Sequence, residues 1–246
     1  MLLVDLPVEV LTIILDSIPF RTLKELGTLT LVNKKFLELV DKRLYSHIHM
    51  DFSDSCSTDR ALTCLRNLAG RRSAAEAIRS ISVRWCGQVA MAPSHEHNLF
   101  VDSLKHATGH LTLSLPSAPF GYFATSGFCP LFQSPKDLPS NFLPNLSTLN
   151  ADTRHTIIQL VPHRPVHTVR IEAQGIRAYS IPDVVEALCL STGPIQHLHF
   201  KIATPGPNSI LQTLLEIVAP EKLRNLVTLD LQWECNSPLN LDLVID

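Results

Sequence analysis

Ile195-Gln196-His197-Leu198-His199-Phe200 decides how most of this chain is read. Apolar residues stand first, fourth and sixth, with polar residues between them. From His197 onward the alternation has a period of two, as in a strand with one buried face. The same pattern, apolar-x-x-apolar-x-apolar, recurs at Ile78/Ile81/Val83, Val166/Val169/Ile171 and Leu226/Leu229/Leu231. Two weaker copies are Leu111-x-Leu113 and Leu146/Leu149/Ala151. Residues 81, 111, 149, 169, 198 and 229 mark the six copies, with steps of 30, 38, 20, 29 and 31. Recurrence at about 20 to 50 residues is the mark of stacked repeats, here with two irregular steps.

Helical spacing fills the intervals. Residues 61–78 carry Leu62, Leu65 and Leu68; residues 99–108 carry Val101 and Leu104. Pro182 opens a run with Val184, Val185 and Leu188, and residues 209–218 carry Ile210, Leu211, Leu214, Leu215 and Val218. One strand and one helix per repeat predict an α/β fold in which each unit buries its apolar face against its neighbours. In this order the segments resemble degenerate leucine-rich repeats, although no regular Asn or Cys position follows each strand. The alternative is a doubly wound α/β domain, but no Gly-rich phosphate loop follows any strand.

Alternation also names the open face. If Leu198 and Phe200 point inward, His197, His199 and Lys201 point outward. The same logic turns out Thr168, Arg170 and Glu172, then Thr228, Asp230 and Gln232, with Ser80, Ser82, Arg84, His110, Thr112 and Ser114 on earlier strands. A solvated sheet face explains any one of them. As a target-binding set the candidates are Arg84, His110, Arg170, Glu172, His197, His199, Lys201 and Asp230. Residues 115–145 break the rhythm with Pro116, Pro119, Pro130, Pro135, Pro139 and Pro144 among Phe120, Tyr122, Phe123, Phe128 and Phe132. That composition predicts a loop that folds back over the arc or docks on a partner. Leu239 to Asp246 read as part of a further repeat without a polar cap.

The first fifty residues follow different rules. Leu6-Pro7 starts a helix, Glu9 lies in its first turn, and Val10, Leu11, Ile14, Leu15 and Ile18 share one face up to Pro19. Further helices fit residues 21–31 and 34–45, the latter with Phe36, Leu39, Val40 and Leu44 inward. A unit this small buries too little area to be robust alone and calls for a partner.

Leu6-Pro7-Val8-Glu9-Val10-Leu11, Ile14-Leu15, Ile18-Pro19 and Leu23, then Leu31-Val32-Asn33-Lys34-Lys35-Phe36, and finally Leu44-Tyr45 with His47-Ile48, resemble the F-box motif in order and spacing. Phe36 stands where the family often has Trp, and Asn33 where it often has Cys or Ser. The resemblance covers about residues 4 to 49. It implies a three-helix F-box-like domain, residues 1–50, that docks on a Skp-type adaptor of a cullin–RING ubiquitin ligase. The adaptor-binding residues it implies are Leu6, Pro7, Val10, Leu11, Ile14, Leu31, Val32 and Phe36; otherwise they are the internal core of a helical cap. Residues 51–246 are then the irregular leucine-rich-repeat-like, substrate-binding arc.

Composition narrows the classes. The chain has 246 residues, 45% hydrophobic and 18% charged, with a net charge of -2. That suits a folded protein and gives no basic excess for nucleic acid or an anionic membrane. Residues 107–134 lack Asp, Glu, Lys and Arg, but their prolines and glycines make a poor membrane helix. Six scattered cysteines without a C-x-x-C pair, and no basic residue ahead of the first apolar run, predict free thiols in cytosol or nucleus.

Eleven histidines raise a metal, but the pairs His47/His49, His95/His97 and His197/His199 lack further ligands at tetrahedral-site spacing. No metal or other cofactor is expected. Ala124-Thr125-Ser126-Gly127 lacks the leading glycine of a nucleophile elbow, and neither a Walker A loop nor H-E-x-x-H occurs. The expected function is a non-catalytic substrate-recognition subunit of a ubiquitin ligase. The alternative is a free-standing repeat scaffold or inhibitor outside any ligase, which has no need of Leu6-Pro7 and its helix. A hydrolase would require a pocket that no motif advertises.

Overall fold

Strand order is chain order. The computed structural model describes residues 6–17, 34–52, 54–85, 93–115, 138–139, 142–151, 154–177, 181–203, 223–233 and 240–244. Within them lie α1 (Val8–Ser17), α2 (Lys34–Leu44), β1 (His47–Phe52), α3 (Ser55–Gly70), α4 (Arg72–Glu76), β2 (Ser80–Trp85), α5 (Pro93–Leu104) and β3 (Leu111–Ser114). There follow β4 (Leu146–Ala151), α6 (Arg154–Leu160), β5 (Thr168–Arg177), α7 (Ile181–Cys189), β6 (His197–Ala203), β7 (Thr228–Trp233) and β8 (Asn240–Val244). The eight strands form one sheet, β1-β2-β3-β4-β5-β6-β7-β8. β1 to β7 run parallel, and β8 closes the series antiparallel to β7. The fold is α/β with a parallel sheet. A doubly wound sheet reverses its strand order and covers both faces with helices; here the order never reverses and one face stays polar.

Each apolar member of the repeated pattern goes inward. Ile81, Val83, Leu113, Leu149, Val169, Ile171, Leu198, Phe200, Leu229 and Leu231 are buried in one cluster with Leu65 and Leu68 of α3, Phe100 and Leu104 of α5, Ile157 and Leu160 of α6, and Val184 and Leu188 of α7. The helices therefore lie on the apolar face. Ile78, Val166, Ile195 and Leu226, the leading residues of the pattern, are buried just ahead of their strands. Tight backbone turns close there, with Leu226 N–H donating to Leu223 O at 2.9 Å and Leu146 N–H to Leu143 O at 3.1 Å. Neighbouring repeats are laced at the same point, His167 N–H to Ser147 O and Gln196 N–H to His167 O, each at 2.8 Å. Gly193 sits where a Cβ would come within 2.9 Å of the Pro165 backbone, so only glycine lets these two turns approach.

Irregular steps have visible causes. Between β3 and β4 the pairing jumps from Leu111↔Leu146 to Thr112↔Thr148, which leaves Ser147 as an extra residue. The 20-residue step is bridged by α6, a helix of only seven residues. Past its end, buried Arg164 donates Nε–H to Phe142 O at 2.8 Å and Nη1–H to Pro162 O at 3.0 Å and Gln159 O at 3.3 Å. One guanidinium thus satisfies three carbonyls that the short connection would leave unpaired. Burial lowers its pKa from the ordinary arginine value. Phe142, at the far end of the Pro-rich 115–145 segment, packs on Phe100 with ring centroids 6.1 Å apart; residues 116–137 lie outside the described residues.

Three elements differ from the expected ones. His47–Phe52 alternates strictly and forms β1, so the sheet begins before residue 51. The expected helix over 61–78 is two helices, α3 and α4, parted at Arg71, whose backbone is extended (φ -130°, ψ 90°). α6 occupies a stretch for which no helix is expected. The expected helices over 21–31 and 209–218 lie outside the described residues. No helix among the described residues is long and apolar enough to cross a membrane.

Candidate functional site

Two surfaces carry the candidate residues. The first is α1, whose hydrogen-bond ladder opens at Pro7: its carbonyl accepts from Val10 and Leu11 N–H, both at 3.1 Å. Leu11 and Leu15, one turn apart, are buried. Leu15 packs with Val40 of α2, flanked by Leu39 and Leu44, in a cluster separate from the sheet's core. Asp16 and Arg43 pair across the two helices, where Arg43 Nη2–H also reaches Asp16 O at 3.3 Å.

The outside of α1 carries four apolar side chains beside the exposed Glu9, Asp16 and Ser17. Ile13 is 68% exposed, Val8 47%, Val10 39% and Ile14 36%. Of the candidates on this helix, Val10 and Ile14 face solvent, Leu11 faces inward, Leu6 is half-buried and Pro7 is exposed. Leu31 and Val32 lie outside the described residues; Phe36 lies in α2, with its side chain likewise outside them. Val8 and Ile13 escaped a reading that sought one apolar stripe. Ile13 lies off the stripe of Val10, Leu11, Ile14 and Leu15, and Val8 precedes its first member.

The second surface is the polar side of the sheet, where register aligns residues from strand to strand. One row runs His49, Ser82, Ser114, Asn150, Arg170, His199 and Asp230. Beside it run His47, Ser80, Thr112, Thr148, Thr168, His197 and Thr228. Parallel strands stand about 4.8 Å apart, so in these rows β2 to β4 carry a strip of hydroxyl and amide groups roughly 10 Å wide. Charge collects at its two ends.

At the β1 end, Arg84 Nη1 lies 4.0 Å from Asp51 Oδ2 across register-paired positions. At the β5–β7 end, His199 donates its Nδ1–H to Asp230, which fixes the ring's tautomer, and His197 hydrogen-bonds Thr228. Arg170 is exposed next in register to His199. The structure thus brings Arg170, His197, His199 and Asp230 together. It sets Arg84 on β2 and leaves His110, exposed, at the foot of β3. Glu172 and Lys201 occupy β5 and β6, their side chains outside the described residues. Asp51, His47 and His49 were missed because β1 was read as the close of the helical unit. Among the described residues, no three His, Cys, Asp or Glu side chains converge as metal ligands would.

The two surfaces are linked by a polar joint. Asp41 of α2 is fully buried; Arg71 and Ser73 both donate to its carboxylate, Ser73 Oγ–H at 3.0 Å. The Arg71 guanidinium lies over the Tyr45 ring, 5.7 Å from its centroid. Desolvation raises the Tyr45 pKa, partly offset by the positive charge of Arg71. Compared with protein-family models, curated proteins and solved structures, the chain matches none.

Proposed function

We propose that the chain is the substrate-recognition subunit of an SCF-type cullin–RING ubiquitin ligase, working in cytosol or nucleus. In this reading residues 1–50 are an F-box-like domain that binds a Skp-type adaptor, and the sheet is a leucine-rich-repeat-like arc that binds a target protein. The observation that carries it is α1: directly after Leu6-Pro7, a helix already packed through Leu11 and Leu15 keeps Val8, Val10, Ile13 and Ile14 outward. Exposed apolar side chains contiguous on one helix mark a protein-binding face. The sequential parallel strands, with one polar face open, support the arc.

The mechanism is proximity. The joint at Asp41, Arg71 and Ser73 holds α2 against α4, so a target on the polar face stays at a set distance from the adaptor. Local concentration of the target's lysines around the ubiquitin-charged enzyme then rises, with no nucleophile or proton supplied by this chain. The test is binding of a purified Skp-type adaptor to the intact chain and to a Leu6→Ala/Pro7→Ala variant. A loss of tenfold or more in affinity, about 1.4 kcal/mol, is expected. A folded intact chain that binds no adaptor removes the ligase reading and leaves the free-standing scaffold.

A further inference from the structure

An exposed hydroxyl that touches a fully buried carboxylate couples the surface to the interior. Ser73 is exposed, whereas its acceptor Asp41 has no accessible surface. Among the described residues, Asp41 is balanced by the Arg71 guanidinium and by that hydroxyl.

We propose that Ser73 is a phosphorylation site and that the phosphate opens the joint between α2 and α4. The Ser73 Oγ attacks the γ-phosphorus of ATP held by a serine/threonine protein kinase. The Oγ–P bond forms, the bond from the γ-phosphorus to the β,γ-bridging oxygen breaks, ADP leaves, and the hydroxyl proton passes to the kinase's base. Arg71 and Arg72 immediately precede Ser73, which suits a kinase whose peptide groove is acidic. Arg72 forms an exposed pair with Glu76, a contact easily given up. α4 is five residues long, is entered through extended Arg71, and is anchored by two small side chains, Ala74 and Ala75. Little apolar area opposes its release into the groove.

The product reverses the electrostatics of the joint. A donor becomes an acceptor carrying roughly 1.5 to 2 negative charges, set against a buried carboxylate. Arg71 neutralises one anion and leaves the other. An unpaired buried charge is strongly unfavourable, and the least costly relief is withdrawal of α2 from α4. Because α2 packs on α1 through Val40 and Leu15, the two helices move together relative to the sheet. This holds whatever partner α1 binds.

The experiment treats the purified full chain with ATP and an arginine-directed serine/threonine kinase, locates phosphate by tandem mass spectrometry, and follows amide hydrogen exchange. Phosphate is expected on Ser73 of the folded chain. Exchange across residues 34–46 should then rise at least about tenfold while β3 to β6 stay protected. Ser73→Glu should reproduce the rise, its neutral counterpart Ser73→Gln should not, and Asp41→Asn should abolish the difference between the two. A folded chain left unphosphorylated at Ser73 overturns the assignment. So does a phosphorylated or Ser73→Glu chain with unchanged exchange, or a Gln variant that opens the joint as far as Glu does.

Discussion

The sheet and α1 treat their apolar side chains in opposite ways. Along β2 to β7 the alternation is kept, with apolar residues buried under the helices and hydroxyl, amide or charged residues outside. α1 buries Leu11 and Leu15 and still sets four apolar side chains in water. In β1 to β7 the described apolar side chains find their partners within the chain. Water offers α1 no such completion, and a binding partner would. The difference separates residues that hold the fold from residues that are spare to it, which an apolar pattern alone does not do.

The largest expected effect falls on the sheet's core. Phe200→Ala should cost about 3 to 5 kcal/mol, whereas Thr168→Ala, one strand away on the polar face, should stay within about 0.5 kcal/mol. Urea midpoints of the two variants check this, and similar losses would erase the distinction between the faces. Next comes Arg164→Leu, which leaves the carbonyls of Phe142, Gln159 and Pro162 without their donor. A loss of roughly 2 to 3 kcal/mol is expected by the same measurement.

A smaller effect separates two thiols. Cys56 is exposed, while burial pushes the Cys64 thiol above its ordinary pKa and so lowers its thiolate fraction at neutral pH. Peptide-level mass spectrometry during iodoacetamide labelling should show Cys56 alkylated well before Cys64, and the lag should shrink as pH rises. Equal rates at pH 7 would mean that the layer between α3 and the sheet is open.

Much of the sheet was legible because its signal repeats. Ile81, Val169, Leu198 and Leu229 each recur with an apolar residue two places on, and a period of two admits one inward face. β1 was not legible by that route: His47-Ile48-His49-Met50-Asp51-Phe52 alternates as cleanly, but it follows α2 so closely that its first residues read as the end of the helical unit. α6 escaped because seven residues hold too few turns to show a helical period. Apart from His49 and Asn150, the outward row was legible residue by residue, yet its pairing was not. That Asp230 lies beside His199 depends on the register between β6 and β7, which alternation within one strand does not carry. On α1, apolar spacing marked Val10, Leu11 and Ile14 alike. Only burial in the folded chain separates Leu11 from its exposed neighbours.

The central claim is that the outward side of α1 is a docking face. Its most direct measurement is a calorimetric titration of a purified Skp-type adaptor into the intact chain and into a Val10→Asp/Ile13→Asp variant. Both side chains face solvent, so the variant should keep its stability within about 1 kcal/mol. The account predicts that the intact chain binds with the negative heat-capacity change of apolar burial, and that the folded variant does not bind. Equal binding by both chains, or none by either while both are folded, would contradict it.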